Sequence, residues 1–340
     1  MAKGRQAVTT RDIADQLDVS VSTVGRALAQ DPRISTETRL RVEQKAAELG
    51  YVGNRVARMM RGAPSNVVGL LVPDIRNSFY STAAHALAQS MAEQGYHVML
   101  SETADNPDNE LEQLRGMAAT QVAGAILVPT PTPHTQTIEL LQKLPHVQFL
   151  RNHDELGDDW FGLDDRATLR TATRHLRELG HERIAYLGGP PSFSTSRHRL
   201  DGYLDIVPSG YADHLVAHVT PSSPDDARIA LSQFLDDPNP PTAVVTSSVR
   251  VTEGVLQELT DRSVRVPDAL SVVGFGDEPG FSWWGPGLTT MRLPVHEVAT
   301  ACSMWLLRRL ADDEAGAALS TSATGTLVQR GSTSAYGGTP

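Results

Sequence analysis

Arg26 follows Val21 and Ser22 by about one helical turn, and these three residue types can read the edges of base pairs. An arginine donates two hydrogen bonds to a guanine edge, a serine bonds several bases, and a valine offers surface to the methyl of thymine. That chemistry needs one exposed helix face backed by a buried one. Residues 9–28, TTRDIADQLDVSVSTVGRAL, supply both. Val24, Ala27 and Leu28 fall on one side at helical spacing, leaving Val21, Ser22, Gly25 and Arg26 on the solvent side. Before them, Ile13, Ala14 and Leu17 line one face of an earlier helix. Thr9 and Asp12 suit its start, the hydroxyl for orphan amides and the carboxylate for the positive end. Asp18 interrupts the pattern and Ser20 suits the cap of the second helix. Two readings stand on these residues, a helix-turn-helix that prefers guanine and thymine in its half-site, and a solvated helical hairpin. A third helix, opening at Ser35 with Leu40, Val42, Ala46 and Leu49 inward and ending at Gly50, completes a three-helix unit and favours the first.

Charge is uneven along the chain. Residues 1–62 carry 11 Lys+Arg against 7 Asp+Glu, whereas the remainder carries 19 against 33, within a total of -10 over 340 residues. A basic head on an acidic body fits nucleic acid at one end, and equally fits ordinary solubility charge in the body. MAKGRQAVTT has no apolar stretch behind its positive charges and no later run reaches membrane-spanning length, so a cytoplasmic, nucleoid-associated protein without membrane contact is expected. Cys302, the single cysteine, excludes an internal disulfide and a multi-cysteine zinc site, and its helical neighbours Val298, Trp305 and Leu306 place it in a core.

From Val67 onward short apolar strands alternate with helices: VVGLLV, a helix over Ser81 to Gln94, HVML, a helix near Asn109 to Thr120, then GAILV. The pattern restarts with RIAYLG, AVVT and SVVGF after a helix ending at Leu179-Gly180, which predicts two successive doubly wound parallel lobes. Other signals carry little chemistry. Gly274, Gly276 and Gly280 have the wrong spacing for a dinucleotide loop and Pro279 interrupts the following helix start, so no cofactor is expected. Asp158-Asp159 and Asp164-Asp165 read as solvated loop charge rather than paired glycosidase acids, and His175, His181 and His198 make no metal cluster. No catalytic constellation is visible. Trp283-Trp284 suit either a sugar face or, preferably, an interface between subunits.

Seven motifs agree on a family. VSVSTVGRAL, RISTETRLRV, ELGYVGNRVARMM and VVGLLVPDIRNSFY, then LRELGHERIAYLGGP, SVVGFGDEP and LTTMRLP, resemble in order and spacing the lac repressor (LacI/GalR) family of transcriptional regulators, from Thr9 to Thr333. The resemblance implies an α/β protein with a helix-turn-helix head and two lobes of the periplasmic-binding-protein-like type. Its domains would be a DNA-binding head at 1–50, a hinge helix and linker at 51–64, and an effector-binding and dimerisation core at 65–340. Lobe one would take about 65–163 plus 292–322, and lobe two about 164–291 plus 323–333. The chain would cross between lobes near Phe161 to Leu163, near Met291 to Pro294 and near 320–325.

By the same resemblance Thr9, Ser20 and Ser35 contact phosphates or backbone, Val21, Ser22 and Arg26 read bases, and Gly25 replaces a serine and weakens one contact. Tyr51, Asn54, Ala57, Arg58 and Met60 belong to the hinge, where Met60 stands in for a leucine wedge in the minor groove. A helix this short is expected to form only when two copies pair on DNA. In the cleft between lobes, at the strand ends, the resemblance places Phe79, Asp164 and Arg199 near a small-molecule effector, with Arg199 gripping hydroxyls or carboxylates. Arg151, Asp165 and Ser248 occupy positions where the family usually has other residues, and Gly276-Asp277 loses the first of a usual acid pair and keeps Asp277, so the pocket is rewritten and its effector is not set by family. A sugar or related metabolite, a protein corepressor and effector-independent control all remain open. The tail after Arg330 has no heptad pattern, which leaves a homodimer on near-palindromic double-stranded operator DNA as the expected assembly. A solute-binding protein shares the lobes but leaves residues 1–62 unexplained, and a sugar-processing enzyme lacks a catalytic constellation.

Overall fold

The computed structural model describes residues 8–29, 31–51, 65–208, 210, 214–311 and 316–337. Met1–Ser65 and Asn66–Pro340 are two compact units. In the first, α1 (Thr10–Leu17), α2 (Val21–Leu28) and α3 (Thr36–Leu49) close over Ile13, Ala14, Val24, Ala27, Val42 and Ala46. Each helix starts on a hydroxyl. Thr9 Oγ1 accepts from Asp12 N at 3.4 Å while Asp12 Oδ2 accepts from Thr9 N at 2.7 Å, a reciprocal cap. Ser20 Oγ accepts from Thr23 N at 3.0 Å and Ser35 Oγ from Thr38 N at 3.2 Å. Asp18 makes the turn in the left-handed region, φ 54°, which aspartate tolerates, and Gly50 ends α3 at φ 67°. Leu40 does not point inward as its apolar character suggested; it is 60% exposed. Val42, Ala46 and Leu49 repeat at helical spacing, and Leu40 lies roughly 200° around the helix from Val42.

The second unit holds two six-stranded sheets. The first contains β1 (Val67–Val72), β2 (His97–Glu102), β3 (Gly124–Leu127), β4 (His146–Phe149), β5 (Trp160–Leu163) and, from far along the chain, β11 (Ser320–Ala323), in the order β11-β5-β4-β3-β1-β2, all parallel. The second contains β6 (Ile184–Gly188), β7 (Val216–His218), β8 (Ala243–Thr246), β9 (Ser271–Phe275), β10 (Thr289–Arg292) and β12 (Thr326–Val328), in the order β12-β10-β9-β8-β6-β7, with β12 antiparallel to β10. Central strands read as unbroken apolar runs because helices cover both faces: all six residues of β1, VVGLLV, are buried.

The helices of this unit are α4 (Ser78–Glu93), α5 (Pro107–Ala119), α6 (Thr135–Leu141), α7 (Asp165–Glu178), α8 (Ser194–Leu204), α9 (Pro224–Leu235), α10 (Val249–Asp261) and α11 (Val295–Ala311). Two of them start earlier than their apolar patterns indicate, α4 because Asn77 caps it and α5 because Asn106 caps it with Pro107 in the first turn. The chain passes from the first sheet to the second after β5, returns from β10 into α11, and crosses again between β11 and β12. Cys302 of α11 is fully buried in the core of the first lobe.

Candidate functional site

In the first unit the exposed face of α2 is the candidate surface. Val24 and Ala27 are fully buried, which turns Val21, Ser22 and Arg26 outward, Val21 with 43% of its surface exposed; Gly25 between them is half-buried. Arg26 makes no ion pair among the described residues, and the neighbouring carboxylate of Asp31 is engaged by Arg33 instead. Thr9, Ser20 and Ser35 each sit at a helix start, where amide donors and the positive end of the helix favour a phosphate. Tyr51 packs half-buried against the head core. Asn54, Ala57, Arg58 and Met60, and with them the hinge helix, lie outside the described residues.

In the second unit a cavity of about 50 Å³, room for a few waters, lies between the carboxyl ends of the two sheets. Phe79 and Tyr80 come from the start of α4, Asp105 from beyond β2, and Leu150 and Arg151 from the end of β4. The other lobe contributes Thr195, Ser196 and Arg199 of α8, Ser248 at the start of α10, and Phe275 at the end of β9. Four expected residues therefore meet: Phe79, Arg151, Arg199 and Ser248. Asp164 and Asp277 do not line this cavity.

Each departure has a local cause. Asp164 caps α7, its Oδ1 accepting from Ala167 N at 2.9 Å, and sits on an open groove with Arg166, Arg170 and Arg174. Its neighbour Asp165 does not line the cavity either but backs Arg199: it is 2% exposed and accepts from Arg199 Nε at 2.7 Å. Burial raises the Asp165 carboxyl above the usual range, against the pull of the Arg199 cation. Asp277 accepts from Thr290 Oγ1 at 3.0 Å and Arg292 Nε at 2.9 Å, and pairs with Arg330 at 2.7 Å. Burial alone would raise its carboxyl, but the bonds from Arg292, Arg330 and Thr290 outweigh it and hold it low. Asp277 is a strut between β9, β10 and the segment after β12. Of the tryptophans, Trp284 donates to Thr260 Oγ1 at 3.2 Å and packs on its own lobe, while Trp283 alone is broadly exposed, at 77%.

The two cleft arginines are built differently. Arg151, 6% exposed, spends both terminal nitrogens on Asp105 and lies 4.4 Å over the ring of Phe193 from the other lobe. Asn152 N donates to Ser194 Oγ at 3.1 Å, a second bridge between lobes. Arg199 stacks 4.3 Å over Phe275, with Nε on Asp165 and Nη1 on the carbonyl of Ser247 at 2.7 Å; Nη2 makes no hydrogen bond among the described residues. Asp105, Tyr80, Thr195, Ser196 and Phe275 were not singled out from the sequence. The hydroxyl-rich run STSR before Arg199 was the readable signal for two of them.

Comparison with known proteins bears on both surfaces. Residues 9–54 match the model for bacterial regulatory proteins of the lacI family, and residues 173–333 match a periplasmic binding protein-like domain. The chain is 29% identical over 336 residues to the transcriptional repressor CytR of Escherichia coli (strain K12), covering 98% of each protein. It is 29% identical over 305 residues to the ribose operon repressor of Halalkalibacterium halodurans, covering 89% of this chain and 90% of that one. The lac repressor dimer bound to operator and the anti-inducer ONPF superposes with a TM-score of 0.83 at 25% identity, over 97% of this chain and 100% of the other.

Proposed function

We infer that the chain is a regulator of the lacI type, a homodimeric repressor that binds near-palindromic operator DNA under control of a small molecule held between its lobes. The observation that carries the reading is the division of α2: Val24 and Ala27 buried, Val21, Ser22 and Arg26 presented together, with no ion-pair partner for the arginine among the described residues. In a dimer two such helices enter successive major grooves, Arg26 reading guanine, Val21 a thymine methyl, and Thr9, Ser20 and Ser35 fixing the backbone. Phe79, Arg151, Arg199 and Ser248 are the proposed effector contacts; Asp164 and Asp277 are dropped from that set. The protein acts by binding rather than catalysis and works in the cytoplasm.

Effector and DNA are coupled because a ligand that favours one arrangement of the lobes shifts the population competent for operator. Footprinting of the purified full chain over genomic fragments tests the reading. A protected near-palindromic site is expected; equal affinity for every fragment and for random duplex would overturn it.

A further inference from the structure

Three helices start at the cleft, and they are finished differently. Asn77 caps α4 by accepting from Phe79 N at 3.2 Å, and Ser248 caps α10 by accepting from Val251 N at 3.2 Å. The residue before α8 is Phe193, whose side chain accepts nothing, and the first bond of the helix runs from Arg197 N to Phe193 O at 3.0 Å. The amides of Ser194, Thr195 and Ser196 make no hydrogen bond among the described residues. Neither do the hydroxyls of Thr195 and Ser196, although these side chains are 9% and 4% exposed and line the cavity. Neither oxygen is among the fully buried atoms that lack a partner, so both hydroxyls are open to a ligand in the cavity that Thr195 and Ser196 line. Arg199, one turn on, lines the same wall, and its Nη2 makes no hydrogen bond among the described residues.

Resting on the reading of the cleft as the effector site, we propose that the effector carries an oxyanion, a phosphate or a carboxylate, and that this group completes the start of α8. The donors are the open amides, Thr195 Oγ1, Ser196 Oγ and Arg199 Nη2, and the positive helix end adds to them. Arg151 is not part of this set, because its guanidinium lies in a bidentate pair with Asp105, whose carboxylate offsets the arginine charge. Asp165 and the Ser247 carbonyl hold Arg199 from the Nε and Nη1 side, aiming the remaining nitrogen rather than consuming it. Asn152, bonded to Ser194 Oγ, brings the other lobe to the same helix start, so occupancy there is transmitted across the cleft.

The test is thermal unfolding of the full chain with inorganic phosphate, sulfate and citrate against chloride at matched ionic strength. It is repeated with ribose, ribose 5-phosphate and ribonate as a matched neutral, phosphorylated and carboxylate set. Anions are expected to raise the melting temperature where chloride and ribose do not. Response to the phosphorylated members alone assigns the phosphate class, and to the carboxylates alone the carboxylate class; both support the proposal. Thr195→Val with Ser196→Ala should weaken the apparent affinity about tenfold while leaving the ligand-free melting curve in place. No anion response, a preference for ribose over its charged partners, or an anion response unchanged in the double variant and hence seated elsewhere, such as on the basic head, would overturn it. Footprinting on the same preparation separates the two readings. Retained operator protection without an anion response removes only this proposal, whereas an anion response without sequence preference removes the regulatory one.

Discussion

Arg26 and Asp277 show how differently two charged residues with similar sequence signatures are used. Arg26 is exposed and makes no ion pair among the described residues, so Arg26→Ala should leave the fold intact and remove about 1–3 kcal/mol of discrimination at one base pair. Gel-shift titration against single-base operator variants checks this; unchanged discrimination at every position refutes the assignment. Asp277 is internal, and Asp277→Asn should cost about 1–3 kcal/mol of stability by stripping the charge that Arg292 and Arg330 bond. The pH sign follows from its lowered pKa. The group is ionised in the folded chain where the unfolded chain begins to bind protons, so its contribution is present above the unfolded carboxylate range and fades as pH falls through the lower folded value. Denaturation curves of the two proteins should therefore converge under acid, and a gap that stays constant down to strongly acid pH argues against the strut. The face of α2 was legible because a helix places every third or fourth residue together. The role of Asp277 was not, since Arg330 stands 53 residues away and only the antiparallel pairing of β12 on β10 brings its segment near.

Helices in this molecule are placed by caps at one end and by close backbone contact along their length. Ser20 serves α2 as a cap and is also a proposed phosphate contact, so Ser20→Ala should destabilise the head by about 1 kcal/mol even without DNA. Thermal unfolding followed by far-ultraviolet circular dichroism reads this, and an unaltered head transition would show the cap to be dispensable. Gly202 does comparable work between α7 and α8. A Cβ there would stand 2.2 Å from the carbonyl oxygen of Arg166, so Gly202→Ala must push the two helices apart. We expect a loss of about 1–3 kcal/mol in the second unit, with the head transition unmoved. The capping serines and asparagines were readable as residue types. The crossing of α7 over α8 was not, because a glycine inside a helical pattern signals weakness unless the partner backbone is known. Leu40 shows the reverse error: an apolar residue assigned to a core on composition, when its angle around α3 sends it to solvent.

Across the whole second unit, alternation of strand and helix was enough to foresee two parallel lobes, yet it could not say which neighbouring acid holds the cleft arginine. Asp164 and Asp165 differ by one residue at the first crossing between sheets, and there the chain turns from β5 directly into α7. The rotation of that turn spends Asp164 on the helix cap and delivers Asp165 to Arg199. The crossing is therefore wired to the cleft through one buried ion pair. Opposite it, Arg151 on Phe193 and Asn152 on Ser194 bridge the lobes at their mouth. If those bridges hold the lobes together, Phe193→Ala should release about 0.5–2 kcal/mol of closing free energy and shift the balance toward a more open unit. Hydrogen exchange is then expected to quicken at the start of α8 and around residues 150–153, while the β1 and β8 cores stay protected. Small-angle scattering of the variant should show a larger radius of gyration. Exchange that rises evenly over both sheets would mean that Phe193 supports packing, and that the arginine contact does not govern the distance between the lobes.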